Sequence, residues 1–211
     1  MPILHAQLNE LLVMTGTNAS SLRSDRLRKV SAAAFGAERP VLEDRSLLID
    51  GVAMMICEDL RRSGMGRRAA AMVVRGFFDK WIEAVARIEH RDEAVLFAVG
   101  EQAPGVWWCG VGLADQLPGY LRSNPPRRIF IVNVAAIMLH MRERAEKAGF
   151  DLTGGSFFLP PDHPLYQEWI KEFAERRDAA QAQFDPLHMK APRPLSAPQR
   201  RVIETSSCRI N

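Results

Sequence analysis

Two groups of side chains in this sequence carry the chemistry needed to hold a polyanion. Asn18, Ser20, Ser21, Arg23, Ser24, Arg26, Arg28 and Lys29 fall within twelve consecutive positions, and Arg61, Arg62, Arg67 and Arg68 within eight. Guanidinium groups meet phosphate oxygens as a planar fork and reach the O6/N7 edge of guanine. Small hydroxyl residues at a helix start leave backbone N–H groups open to phosphate. The pattern predicts contact with double-stranded DNA, with arginines and lysine on phosphates and bases read from one helix start.

Groups suited to other chemistry are scattered. His5, His90, His140, His163 and His188 have no partners at a convincing ligand spacing, and Cys57, Cys109 and Cys208 form no C-x-x-C pair. Walker, dinucleotide-binding and catalytic-triad signatures are missing from the sequence. No catalytic residue, cofactor or metal is therefore expected, and the chain is not expected to be an enzyme. Glu89-His90-Arg91-Asp92-Glu93 reads as a charged helix end, and Met54, Met55, Met65 and Met72 as core filling.

With 211 residues, 47% hydrophobic and 25% charged, the chain can bury the core of one generous domain or two small ones without disulfides. Its net charge of +3 is unevenly spread: residues 61–80 hold six basic side chains against Asp79, and residues 151–185 hold three against seven acidic ones. The tail after residue 185 is basic again, with five against Glu204. Scattered cysteines imply a reducing, cytoplasmic setting. No run approaches the roughly 18 apolar residues of a membrane span, and no secretory leader is expected ahead of Asn9-Glu10.

The basic residues need helices to present them. Leu4, Leu8, Leu11 and Leu12 form the stripe of a short helix from Leu4 to Met14. Gly16 breaks it by entering the left-handed region, and Thr17 or Asn18 caps a helix from Ser20 to Ala34, with Leu22, Leu27 and Val30 as apolar points. Gly36 to Pro40 is a connection. A second pair follows: Leu47 to Arg62, with Ile49, Val52, Met55, Ile56 and Leu60 on one face, then Arg67 to Ile88, with Met72, Val73, Phe77, Trp81, Val85 and Ile88. Ser63-Gly64-Met65-Gly66 is the turn between them.

At Ala94 the pattern changes. Apolar runs at 94–99 and 106–111, separated by the turn chemistry of Gly100 to Gly105, predict a β-hairpin. Trp107 and Trp108 must then point to opposite faces, one to the core and the other to a subunit interface. Asp115 to Asn124 is a loop or short helix, Arg127 to Val134 a strand, and Ala135 to Ala148 a helix capped by Gly149. Asp151 to Pro161 is a linker, and Asp162 opens a helix with Pro164 in its first turn.

From Leu8 to Arg23 the chain resembles the N-terminal helix–turn–helix of the mercury-resistance regulator (MerR) family. There, an aliphatic-x-Glu-Leu segment leads into Thr-Gly and then Ser/Thr-Leu-Arg. Leu8, Glu10, Leu11, Thr15, Gly16, Ser21, Leu22 and Arg23 fall in register, and Asn18 stands where the family usually has serine. Gly51, Met54, Cys57, Leu60, Arg61, Gly64 and Met65 resemble its second helical pair. The family follows Leu-Arg with an aromatic residue and a wing ending in Arg and Tyr. This chain has Ser24-Asp25-Arg26 and no recognisable wing before Pro40. The resemblance implies a divergent regulator of phage or mobile-element type, reading an inverted repeat as a homodimer.

The expected fold is mainly α with a small antiparallel β-sheet. A helical DNA-binding region with two helix–turn–helix units covers 1–90, and a β-hairpin plus strand–helix part, a candidate for dimerisation, covers 91–150. Residues 151–185 are linker and C-terminal helix, and 186–211 a flexible, basic, Pro-rich tail. The expected function is sequence-specific binding of double-stranded DNA in transcriptional control. Two alternatives stand beside it. One is a protein-interaction, adaptor or antitoxin-like module using the tail and the Trp107/Trp108 hairpin; the other is a DNA-bending excision or recombination accessory factor. Locally, an ordinary helical hairpin at 8–30 and a solvated turn at Arg61–Arg68 are the plainer readings.

Overall fold

The computed structural model describes residues 4–21, 45–123, 125–171 and 174–175. Strand β1, His5–Gln7, pairs antiparallel with β2, Arg45–Leu47, with His5 opposite Leu47 and Gln7 opposite Arg45. Helix α1, Leu8–Thr15, follows β1 directly, and α2, Leu48–Arg62, follows β2 directly. The ladder thus sets the starts of both helices side by side. It also corrects the expectation of a helix beginning at Leu4. Residues 5–7 are taken by a partner some forty positions away, so α1 begins at Leu8, which is 37% exposed, and buries Leu11 and Met14 instead. Glu10 steadies that start by accepting the Gln7 N–H at 2.7 Å.

The long helix expected over 67–88 is two helices, α3, Arg67–Gly76, and α4, Phe78–Arg91. Gly76 is a poor helix former, costing about 1 kcal/mol against alanine, and Phe77 leaves helical geometry at φ −116°. In an unbroken helix the Val74 carbonyl would take the Phe78 N–H; here it accepts the indole N–H of Trp81 at 2.8 Å. The break lets Phe77, Phe78 and Trp81 all reach the core.

The hairpin is as expected, though longer: β3, Val95–Ala103, and β4, Val106–Leu113, joined at Gly105 with φ +76°. A short helix α5, Leu117–Ser123, leads to β5, Arg128–Val132, which pairs antiparallel with β3 to give the order β4-β3-β5. Asn133 ends the strand by capping α6, Val134–Lys147, its Oδ1 accepting the Ala136 N–H at 3.1 Å. Gly149 closes α6 at φ +78°, where the Phe150 N–H reaches the Ala145 carbonyl at 2.9 Å. Beyond it, helix begins at 166 rather than 162. In the turn ahead of it the His163 Nδ1 accepts the Leu165 N–H at 3.1 Å.

Val95, Phe97, Val99, Cys109, Val111, Phe130 and Val132 form the buried face of the sheet. One apolar cluster runs from Ala6 to Tyr166 and crosses residue 90 without interruption. The molecule is therefore mainly helical with a small antiparallel sheet, built on a shared core. No described helix is long and apolar enough to cross a membrane. Trp107 packs toward the core against Phe130, with centroids 6.1 Å apart. The other ring of the pair, Trp108, is also buried, 3% exposed, and lies against its cross-strand neighbour Gly100 rather than open to a second subunit.

A methyl group at Gly100 would occupy the space of the Trp108 indole. Gly100→Ala is expected to swing the ring outward and destabilise the fold by about 1–3 kcal/mol. Urea unfolding followed by tryptophan emission checks this. An unchanged midpoint and unshifted emission would contradict the packing.

Candidate nucleic-acid interface

The first turn is built around Gly16. At φ +66° it lets the Thr17 N–H fold back onto the Leu12 carbonyl and its own N–H onto the Val13 carbonyl, both at 3.1 Å. The buried Thr15 hydroxyl donates to the Leu11 carbonyl at 2.9 Å and anchors the turn from inside. Asn18 then opens a new helix at Ala19, its Oδ1 accepting both the N–H and the hydroxyl of Ser20 at 2.8 Å. Asn18, Ala19, Ser20 and Ser21 are all exposed. Of the predicted DNA-contacting set, Asn18, Ser20 and Ser21 are thus on an open helix start. Arg23, Ser24, Arg26, Arg28 and Lys29 lie outside the described residues.

Arg144, which the sequence did not single out, supports this turn from α6. Its Nη1 donates to the Met14 carbonyl at 3.4 Å and lies against Gly16. A cation at the negative end of a helix is favourable by about 0.3–1 kcal/mol.

The second turn repeats the device. Gly64, at φ +96°, ends α2 while the buried Met65 donates its N–H to the Leu60 carbonyl at 2.9 Å. Arg61 and Arg62 leave this turn but share one acid: Glu58 Oε2 is 3.0 Å from Arg61 and Oε1 is 3.3 Å from Arg62. Next to them, burial raises the Asp59 carboxyl above its ordinary pKa, against the lowering pull of Arg62. Arg67, half-buried, and Arg68, exposed, occupy the first turn of α3, which has no acidic residue. Two cations at the positive end of a helix repel its dipole, so an anion bound there would offset that repulsion.

The β1–β2 ladder joins the starts of α1 and α2, the helices that lead into the two turns. Sequence patterning missed this ladder because a three-residue strand shows no alternation to read. No protein-family model matches the chain, and no curated protein is detectably similar to it in sequence.

Away from this unit, an open groove of about 360 Å³ lies between α4 and residues 161–170. Along it Lys80 meets Asp79 and Glu83, and Arg87 meets Glu83 and Glu93. Burial, aided by Glu83 and Asp79, pushes the Tyr166 phenol there up to about 12. Among the described residues no group of His, Cys, Asp or Glu is arranged to hold a metal.

Gly16→Ala is expected to lose about 1–2 kcal/mol, since its Cβ is strained at positive φ and would sit 2.5 Å from Arg144 Nη1. Arg144→Ala alone should cost less, and the double variant less than the sum, because one clash is removed. Urea unfolding of the three variants checks this. For Tyr166 the folded pKa lies above the unfolded one, so its share of stability is complete below pH 10 and is lost between pH 10 and about 12. Tyr166→Phe should flatten that part of the stability–pH curve.

Proposed function

We propose that this protein is a sequence-specific double-stranded DNA-binding regulator of the mercury-resistance regulator type, working as a homodimer. The observation that supports the reading is the β1–β2 ladder, which sets the starts of α1 and α2 side by side, each helix leading into a glycine turn. In that arrangement the exposed Asn18, Ser20 and Ser21 open the helix meant for the major groove, followed in sequence by Arg23, Ser24, Arg26, Arg28 and Lys29. Strand β2 begins on Arg45, directly ahead of the second helical pair. In chain order that is where the family's wing ends on an arginine.

The phosphate-binding role at the second turn is shared by Arg61, Arg62, Arg67 and Arg68, the first two also pairing with Glu58. Backbone contacts there set the register, and the first unit reads bases. The exposed Ile131 on the edge strand β5 and Leu139 on α6 are apolar positions a second copy would cover in a dimer reading an inverted repeat. The proposal assigns the protein no catalytic step.

The deciding experiment selects bound duplexes from a random pool and measures affinity for the winner and for unrelated DNA over a salt series. One site should be preferred by at least about a thousandfold. Arg23→Ala should relax that preference, whereas Lys29→Ala and Arg68→Ala should weaken all duplexes alike, each reducing the salt slope by about one. Equal affinity for every duplex, or none, would sink the reading. Recovery of a stoichiometric protein partner without nucleic acid would favour an interaction module instead.

A further inference from the structure

In sequence, residues 151–161 look like a linker, yet Gly155 to Leu159 are all buried. The cause is Glu89, near the end of α4, whose side chain is only 8% exposed. Its Oε2 accepts the N–H groups of Phe157 at 2.8 Å and Phe158 at 3.4 Å, and its Oε1 accepts from Arg142 of α6 at 2.8 Å. Arg142 also donates to the Leu152 carbonyl at 3.3 Å and sits 4.8 Å over the Phe157 ring. His90 Nε2 donates to the Phe158 carbonyl at 2.8 Å. The charged helix end read from Glu89 to Glu93 is, at its first two residues, a clamp on a strap.

The strap's other side reaches the N-terminal unit. The Ser156 carbonyl accepts the Leu4 N–H at 2.8 Å, and the Leu4 carbonyl accepts the Leu48 N–H at 3.1 Å. Leu4 is the residue ahead of β1, and Leu48 opens α2. An unbroken hydrogen-bonded path thus runs from Glu89 and Arg142 through residues 156–158 to the entry points of β1 and α2.

We infer that residues 155–158 form a latch through which the Glu89–Arg142 pair, its carboxylate buried, controls the alignment of the N-terminal helical unit. The device is conformational and does not depend on what that unit binds. Glu89 is the single acceptor for two strap amides and a guanidinium, so losing its charge weakens three bonds at once. The β3–β4 hairpin stands outside the path and serves as an internal reference.

Amide hydrogen exchange on the full chain tests the latch with Glu89→Gln and the milder Arg142→Lys, which keeps the charge but loses the planar fork. Exchange across residues 4–16, 48–52 and 155–158 should quicken by about tenfold or more in the first variant, and less in the second. Residues 95–113 should keep the wild-type rate in both. Acceleration confined to 155–158 would overturn the inference, since the strap would then not govern the N-terminal unit. Acceleration spread equally over the hairpin in Arg142→Lys would overturn it too, because Glu89 and Arg142 would then be ordinary supports of the whole fold.

Discussion

The N-terminal half of this molecule depends on three residues of β1 meeting three residues of β2 across the intervening 37 positions, 8–44. Closing such a loop costs about 3 kcal/mol in chain entropy beyond the constant term, which a ladder of three residue pairs does not recover alone. The rest comes from packing of α1, α2 and α6. Leu11, Leu48, Ile49 and Val52 are fully buried, and Gly51 allows the closest approach. A Cβ at Gly51 would stand 2.6 Å from the Met141 side chain and 2.7 Å from Leu11. Glycine inside a helix costs up to about 1 kcal/mol, and here the close seating of α1 and α6 over α2 offsets it.

Charge is used in two distinct ways. On α4 and at the end of α2, acids and bases pair on exposed faces, where each pair contributes about 0–1 kcal/mol. Such pairs neutralise potential more than they stabilise. Glu89 and Arg142 differ: the carboxylate is buried, and its bonds hold backbone rather than surface. The first turn of α3 carries Arg67 and Arg68 at the positive helix end and no acidic residue of its own. That local run of cations is what the net charge of the chain conceals, and it gives the proposed interface its electrostatic character.

Legibility in the sequence followed the range of the interaction. The glycine turns at Gly16, Gly64 and Gly149 and the hairpin at Gly105 were readable because each is decided within a few residues by the freedom to take positive φ. Helix α2 was readable from its apolar spacing. The start of α1 was not, since Leu4 continues the leucine stripe and only the distant partner of β1 removes it from the helix. The break at Phe77 was signalled only by Gly76; its cause, the Trp81 indole on the Val74 carbonyl, depends on where the ring is buried. Glu89 had one overlooked signal: an acid in the last turn of a helix opposes the dipole and needs a partner elsewhere.

For the candidate interface, local sequence determined the two turns, the cap at Asn18 and the placement of arginines near helix ends, because capping and glycine geometry are short-range. Only the tertiary structure decided that the starts of α1 and α2 are joined and that Arg144 braces Gly16. It also turned an apparent linker into a buried strap joined to Leu4. Those features arise between residues far apart in the chain. Their partners are chosen by burial and by the need of every buried polar group to be hydrogen-bonded, neither of which a single segment encodes.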